Sequence, residues 1–257
     1  MKILFLGTGT SNGVPVLDCS CPTCLSENKK NTRFRSSVII KYGEMDILID
    51  TPPELRLQLL EYDIKNIDLI LLTHTHADHI MGFDDIRSIN QIQNKSIPVY
   101  ANERVVENIK RIFPYIFNPY QPGGGVPKID LNVINKNLNF GTLNIQPLPV
   151  KHGKLDILGY KLNEIAYITD CSFISESTFK HLSDVKVLIL GALRHRPHST
   201  HMTVDEAVEV INKTDIKRAY LTHLSHDLEY EKENNKLPDH INLAYDGLSI
   251  YINPAWK

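Results

Sequence analysis

The sequence of 257 residues lacks any long hydrophobic run. Its apolar amino terminus, residues 1–7, is too short for the core of a signal peptide, and no later segment approaches the length of a membrane span. We therefore expect no membrane partner and a cytoplasmic location. Internal repeats, low-complexity tracts and Ser- or Gly-rich linkers are also missing, which predicts a single domain over residues 1–257.

The sequence also has almost no net charge. Its 28 basic and 30 acidic residues leave a formal charge of −2, with no excess of Lys and Arg. Proteins dedicated to nucleic-acid binding carry a basic stripe that supplies phosphate contacts. The charge balance therefore argues against a nucleic-acid partner, and the apolar content of 42% is that of a globular protein.

Short β-compatible runs alternate with helical patterns along the chain. The predicted strands are residues 2–6, 37–40, 46–49, 67–72, 97–100, 143–147, 165–169, 185–190, 218–221 and 243–245. The predicted helices are residues 53–61, 103–112, 174–182 and 203–212, and Thr203 and Glu206 have the spacing of a capping box. This alternation predicts a layered α/β fold.

Three imidazoles and a carboxylate follow one of these strands. The segment Thr73-His74-Thr75-His76-Ala77-Asp78-His79 comes directly after the apolar run at 67–72. Loops at strand ends hold the functional side chains of many α/β proteins. The density of ligand-type side chains predicts a metal site here.

Three more strands end in a residue of the same kind. His152, Asp170 and His223 each follow an apolar run. Imidazole and carboxylate suit divalent ions such as zinc or manganese, and two ions about 3.5–4 Å apart can share and activate a hydroxide. We predict one ion held by His74, His76 and His152, and another by Asp78, His79 and His223, with Asp170 as a bridge.

Together these residues resemble the signature of the metallo-β-lactamase-fold hydrolases. The resemblance implies a four-layer αβ/βα sandwich with a dinuclear metal site. Residues 6–11 and Asp50 stand where that superfamily has its first Gly-rich turn and a structural aspartate. The resemblance covers most of the chain.

Cys19, Cys21 and Cys24 crowd into six residues, a spacing that favours metal ligation over disulfides in a reducing compartment. Together with residues 222–227 they resemble the branch that includes the cyclic-phosphate phosphodiesterase of the carbon-phosphorus lyase pathway. That resemblance implies a structural zinc on the three cysteines and His226, a closed tetrahedral set. Cys171 has no cysteine neighbour, and we expect it to pack in the core.

A second group of basic side chains, residues 194–201, points to phosphate chemistry. Arg194 and Arg196 could bind phosphate oxygens through their guanidinium forks, and a histidine can protonate a leaving oxygen. The branch resemblance implies that His201 faces the leaving group, as a general acid or as a donor that orients the phosphate. We expect Asp78 to orient the nucleophile. One departure is Gly191, where related sequences carry an acidic residue.

These observations predict a phosphodiesterase acting on a small, cyclic phosphodiester, with two catalytic Zn or Mn ions and one structural Zn. Two alternatives stay open: a nuclease of the transfer-RNA 3′-processing type, and a non-hydrolytic iron redox or sensor protein of the same fold. Assembly as a homodimer also stays open. The Pro- and Gly-rich residues 118–128 form either a surface loop or a lid over the site.

Overall fold

A computed structural model of the chain describes residues 1–118 and 125–252. The chain divides into two compact units. Unit 1 comprises Met1–Leu6, Ser37–Asn135 and Gly247–Lys257, and unit 2 comprises Gly7–Ser36 and Lys136–Asp246. The single-domain expectation stays a prediction, and most of the proposed lid at 118–128 lies outside the described residues.

Unit 1 is built on a seven-stranded sheet with the order β15-β1-β2-β3-β4-β5-β6. Its strands are β1 (Lys2–Gly7), β2 (Ser37–Tyr42), β3 (Met45–Ile49), β4 (Leu69–Leu71), β5 (Ile97–Ala101), β6 (Ile129–Val133) and β15 (Ser249–Tyr251). Its helices are α1 (Leu55–Glu61), α2 (Ala77–Ile80), α3 (Ile86–Gln93), α4 (Glu103–Ile112) and α5 (Pro114–Phe117).

Strands β3 to β6 run parallel, as strands joined by helical crossovers do. They are short and largely apolar, and their buried side chains form a core with the apolar faces of α1, α3 and α4. Ile49 at the end of β3 pairs with Leu71 at the end of β4. The residues that follow these two strands therefore emerge side by side.

Unit 2 contains the second sheet, with the order β11-β8-β9-β10-β12-β13-β14 and β7 paired to β8. Its strands are β7 (Leu138–Phe140), β8 (Leu143–His152), β9 (Leu155–Leu162), β10 (Ile165–Ile168), β11 (Phe173–Ile174), β12 (Val187–Gly191), β13 (Arg218–Thr222) and β14 (Ile241–Leu243). Its helices are α6 (Glu176–Lys180), α7 (Val204–Asn212) and α8 (Tyr230–Asn234).

Strands β10, β12, β13 and β14 are parallel and buried, so their carboxyl ends share one edge of the second sheet. Ile168 pairs with Leu190, and Leu190 pairs with Leu221. Asp170 and His223, which follow β10 and β13, therefore lie at the same edge. Helix α7 begins at the predicted capping box, in which Thr203 and Glu206 each bind the other's backbone N–H.

The predicted α/β class is confirmed in both units. Several predicted bounds were wrong: the last strand of the second sheet is Ile241–Leu243 instead of 243–245, the helix expected at 174–182 spans only Glu176–Lys180, and the strand expected at 143–147 continues to His152. In the second case Ile174 belongs to β11, which pairs with β8. Within the described residues, no helix has the length and apolar character needed to cross a membrane.

Candidate metal centres

The His-rich segment of unit 1 leaves β4 and continues into the first turn of α2. The ring centroid of His74 lies 4.6 Å from that of His76 and 4.3 Å from that of His79. Asp78 Oδ2 lies 3.4 Å from His79 Nε2. His74, Asp78 and His79 are buried, whereas His76 is exposed. The structure thus brings the four predicted unit 1 ligands together.

Asp50 orients this group from the end of β3. Its carboxylate accepts hydrogen bonds from the Thr73 backbone N–H at 2.8 Å and from His79 Nδ1 at 2.7 Å. Complete burial raises the pKa of Asp50, and the interaction with His79 opposes that rise. Because Nδ1 of His79 carries the bonded proton, its Nε2 carries the lone pair that a metal ion needs.

The same carboxylate reaches His74 through a hydroxyl group. Thr73 Oγ1 donates to Asp50 Oδ2 at 2.8 Å and lies 3.0 Å from His74 Nδ1, from which it can accept. This arrangement places the proton of His74 on Nδ1 and the lone pair on Nε2. Asp50 therefore fixes the tautomers of two candidate ligands, one directly and one through Thr73.

Unit 2 contributes a second group at the edge of its sheet. One ligand atom from each of His152, Asp170 and His201 lies within 4.8 Å of the others. Asp170 Oδ1 lies 3.1 Å from His223 Nδ1, and the ring centroids of His201 and His223 are 4.9 Å apart in a stacked geometry. The structure thus brings together the three predicted unit 2 ligands and the predicted catalytic His201.

Protein acceptors also orient the two unit 2 histidine ligands. His152 Nδ1 donates to the Thr200 carbonyl at 2.8 Å. Ser36 Oγ donates to the Gly9 carbonyl at 2.9 Å and lies 3.3 Å from His223 Nδ1, where it can accept. In both histidines Nε2 then carries the lone pair. Ser36 and Thr200 have no metal-type signature, so sequence reasoning missed them.

Three of the residues that follow strands adopt a left-handed backbone. The φ angles are 63° at Asp50, 52° at Asp170 and 59° at His223. Residues other than glycine rarely adopt this conformation, which costs on the order of 1–3 kcal/mol. Such strain is concentrated at functional sites. Here it turns the chain sharply after β3, β10 and β13.

Gly191 at the end of β12 is explained by close backbone contact. A Cβ atom at this position would lie 2.9 Å from the Asp170 backbone nitrogen. An acidic side chain of the kind expected from related sequences therefore does not fit beside this Asp170 backbone. Because Gly191 has no side chain, β12 can approach the Asp170 backbone this closely.

His201 is partly buried beside the unit 2 ligands. Burial, followed by the neighbouring His223, lowers the pKa of His201 to about 3, so its ring is neutral at pH 7. Arg194 is half-buried, and Arg196 is exposed, with Nη2 3.4 Å from Asp227 Oδ2. The roles of His201 and the two arginines in the reaction stay predictions.

The three predicted cysteine ligands surround one histidine nitrogen. The Sγ atoms of Cys19, Cys21 and Cys24 lie 3.2, 3.5 and 3.6 Å from His226 Nδ1. Zn–S and Zn–N bonds of about 2.3 and 2.1 Å in a tetrahedron place S and N about 3.6 Å apart. The donor set and its spacing fit a zinc ion.

Backbone N–H groups face two of the three sulfur atoms. The backbone N–H of Val16 donates to Cys24 Sγ at 3.3 Å, and that of Cys24 donates to Cys21 Sγ at 3.4 Å. The bond from Cys24 lowers the pKa of Cys21 to about 6, while burial raises the pKa of Cys24 to about 11. Thiolates at these three cysteines would repel one another, and a bound cation would offset that repulsion. Cys171 is instead buried in the unit 2 core, as predicted.

The chain belongs to the β-lactamase superfamily. The family model described as "Beta-lactamase superfamily domain" matches residues 46–224, which include most of the predicted metal ligands. The metallo-β-lactamase fold expected from the sequence is therefore confirmed.

The chain is most usefully compared with a solved diphosphatase of the PhnP family. The two are 38% identical, with a TM-score of 0.91, and the match covers 98% of each chain. Two further solved structures share the fold. One is zinc-bound PqqB from Methylobacterium extorquens, at 17% identity and a TM-score of 0.78, with 98% of this chain and 100% of that chain covered. The other is human tRNase Z, short form, at 18% identity and a TM-score of 0.73, with the same coverage. The chain is thus similar to the branch that the cysteine cluster indicates.

Among curated proteins, the chain is 37% identical over 98% of its length to an octanoyltransferase from Porphyromonas gingivalis, of which it covers 52%. It is 28% identical over 59% of its length to a ribonuclease Z from Clostridium novyi, of which it covers 47%. The chain therefore spans about half the length of these relatives.

Proposed function

We propose that the chain is a metal-dependent phosphodiesterase that hydrolyses a small, cyclic phosphodiester. The observation that carries the proposal is the common orientation of the four buried histidine ligands. In each of them Nδ1 faces a protein oxygen, which leaves the lone pair on Nε2. Outer hydrogen bonds of this kind are characteristic of metal-binding histidines.

The proposed catalytic ions are two divalent cations, Zn or Mn, with a separate structural Zn. The catalytic ligands are those predicted from the sequence: His74, His76, Asp78, His79, His152, Asp170 and His223. The structural ligands are Cys19, Cys21, Cys24 and His226. Two bound ions would supply positive charge for the phosphate oxygens and a nucleophilic water near neutral pH.

Asp78 and His201 have distinct proposed tasks. Asp78, buried in the first turn of α2, would hold a metal ion and orient the attacking water. His201 is neutral and can donate one hydrogen bond to the substrate. An anionic phosphate beside the ring would raise the pKa of His201 and favour proton transfer to the leaving oxygen.

Similarity to the PhnP-family diphosphatase supports a phosphorus-centred reaction. Arg194 is a proposed contact for a phosphate oxygen. Its charge helps to lower the pKa of His198, whose ring centroid lies 5.1 Å from that of His201, so Arg194 lies near the proposed site. The exposed Arg196 is a weaker candidate because it faces Asp227. The proposed substrate is therefore a small anionic molecule. We propose that the chain acts in the cytoplasm.

The name octanoyltransferase belongs to a protein about twice the length of the matched region. The name therefore gives no argument for a transferase activity of this chain. The ribonuclease Z relatives support the nuclease as the second candidate function. Binding of transfer RNA that weakens steeply with salt would favour the nuclease.

The test is a substrate panel with metal analysis. We would assay a ribose cyclic phosphate, cyclic nucleotides, an aryl phosphodiester, a dinucleoside diphosphate, transfer RNA, a thioester and a β-lactam. We expect turnover of small phosphodiesters and about three metal ions per chain. Activity confined to the thioester and the β-lactam would overturn the proposal, as would iron with a redox-active spectrum.

Two variants make the panel specific. Asp78→Ala should abolish turnover and leave the far-UV circular dichroism spectrum unchanged. His181→Ala is the matched control because His181 is an exposed histidine outside both ligand groups. Full activity in Asp78→Ala would refute the assignment of this residue.

A further inference from the structure

Arg33 is 1% exposed and is the largest fully buried side chain among the described residues. Its Nη1 donates to the Ser225 carbonyl at 2.7 Å, and its Nη2 donates to the Leu228 carbonyl at 2.6 Å. Burial lowers the pKa of Arg33 to about 10. The nearby carboxylates of Asp246 and Glu229 oppose this fall. Burying a guanidinium is costly, so the placement of its two short hydrogen bonds to backbone carbonyls requires an explanation.

The two acceptor carbonyls belong to the segment that carries both kinds of metal ligand in unit 2. Ser225 and Leu228 lie on either side of His226, whose Nδ1 faces the three cysteines. His223 lies two residues before Ser225 and has a left-handed backbone. The guanidinium fork therefore holds the 223–228 segment at two points, one on either side of His226.

The backbone of Arg33 is fixed to the cysteine loop. Arg33 N–H donates to the Val14 carbonyl at 2.8 Å, and Val14 N–H donates to the Arg33 carbonyl at 2.9 Å. Val16, two residues further, donates its N–H to Cys24 Sγ at 3.3 Å. Arg33 thus connects the loop that carries the cysteines to the segment that carries His223 and His226.

The residues around Arg33 strengthen the same connection. Asn31 donates to Glu229 Oε1 at 2.7 Å and accepts from the Tyr230 N–H at 2.8 Å. Ser36 lies 3.3 Å from His223 Nδ1. Residues 31–36 therefore contact the 223–230 stretch at its beginning, middle and end.

We propose that Arg33 is a positioning residue that couples the cysteine cluster, defined as Cys19, Cys21, Cys24 and His226, to His223. Its fork fixes the 223–228 segment so that the catalytic centre binds its metal tightly. This inference rests on the proposed function. Lysine cannot replace the fork, because one ammonium group does not match two separate carbonyls in fixed directions.

The experiment loads wild type, Arg33→Lys and Arg33→Gln with cobalt(II). Thiolate ligands give cobalt intense near-ultraviolet charge-transfer bands, whereas nitrogen and oxygen ligands give only weaker visible bands, so the two kinds of site are read separately. We expect both variants to keep the thiolate bands. The Kd for cobalt at the nitrogen and oxygen site should rise about 10-fold, the lower end of the effect of losing a direct partner of a ligand, because Arg33 acts on His223 through the backbone of Ser225. The kcat should fall with it.

Val187→Ala is the control for a merely structural effect. Val187 is buried in the same unit at the start of β12, opposite the edge that bears Asp170 and His223. We expect Val187→Ala to lower Tm about as much as the Arg33 variants do and to leave the cobalt affinity unchanged. Arg33→Gln removes the buried charge and therefore avoids the cost of burying a lysine ammonium group. It is the variant to measure if Arg33→Lys does not fold.

Three outcomes separate the possibilities. Wild-type cobalt affinity in either Arg33 variant would overturn the positioning role. An equal loss of affinity in Val187→Ala at matched Tm would also overturn it. If wild type binds cobalt at both kinds of site but hydrolyses nothing in the panel, the proposed function fails, while the effect of Arg33 on cobalt affinity still decides the positioning role.

Discussion

Asp50 and His79 are both completely buried, and the Asp50 carboxylate accepts the Nδ1 hydrogen of His79 at 2.7 Å. The two residues come from different elements: Asp50 directly follows β3, and His79 lies in α2. The pair fixes which nitrogen of His79 carries its lone pair before any ion binds. A carboxylate that orients a histidine in this way is a common outer partner in metal sites.

Asp50→Asn should therefore weaken metal binding more than it weakens the fold. The amide can still accept the Thr73 N–H, but it cannot accept every hydrogen that the carboxylate accepts, so the tautomer of His79 is no longer fixed. We expect a loss of about 10- to 100-fold in catalytic-metal affinity, measured by competition with a chelator.

Asp46→Asn is the matched control for that variant. Asp46 is a buried carboxylate in β3, the strand that Asp50 follows, and it accepts from Lys41 Nζ at 2.7 Å, away from the histidines. Metal affinity should be unchanged in this variant. Equal losses in the two variants would show that burial, and not the contact with His79, is responsible.

His201 can be tested by changing the leaving group. If its ring donates to the leaving oxygen, His201→Ala should lower kcat about 10²–10⁴-fold for an alkyl phosphodiester and much less for a 4-nitrophenyl ester, whose leaving group needs no proton. His198→Ala, at a neighbouring exposed histidine, should change kcat only slightly. Equal losses for both leaving groups would instead indicate an orienting contact.

Cys21→Ala should remove one metal ion per chain and lower Tm. The three sulfur atoms lie within 3.6 Å of His226 Nδ1, and loss of one opens a closed site. Cys171→Ala is the control because Cys171 is buried in the core and lies outside the cluster. A full zinc content in Cys21→Ala, measured by mass spectrometry of metals, would contradict the structural site.

Asp246 predicts a pH dependence of stability. Burial raises the pKa of Asp246 to about 7, although it accepts hydrogen bonds from the Phe34 N–H and Thr8 Oγ1, both at 2.7 Å. Because the folded-state pKa lies above the unfolded value, the protonated form favours folding. That stability is complete below about pH 4 and is lost as the pH rises through 7.

Between pH 5 and pH 8, this group should cost about 2–3 kcal/mol in the free energy of unfolding. Asp246→Asn should flatten the dependence, because the amide can keep both hydrogen bonds if the Thr8 hydroxyl turns to accept. Urea denaturation of both proteins at pH 5 and pH 8 measures the difference. An identical pH dependence in the two proteins would place the titrating group elsewhere.

The grouping of the candidate ligand residues could be predicted because the signal for it is local in the sequence. His74, His152, Asp170 and His223 each follow an apolar run, and a parallel sheet brings such positions to one edge. The capping box of α7 was likewise predicted from Thr203 and Glu206 alone and is confirmed. Local sequence signals of this kind need no knowledge of distant contacts.

Other features depend on contacts that no local pattern records. Strand β9 was not predicted, and it contains Gly159, whose missing side chain gives the strand a weak signal. A Cβ atom there would lie 2.8 Å from the Tyr167 carbonyl of the neighbouring strand. The partners Ser36, Thr200 and Arg33 were missed for the same reason: each contacts a ligand segment far away in the sequence.

The left-handed backbone at Asp170 and His223 has a consequence for laboratory evolution. Glycine adopts this conformation at lower cost, so glycine at either of these two positions should raise thermal stability. The same replacements would delete metal ligands. A library screened only for heat resistance should therefore become enriched in inactive variants at these two positions. Such enrichment would show that thermal stability and activity place opposite demands on the same residues.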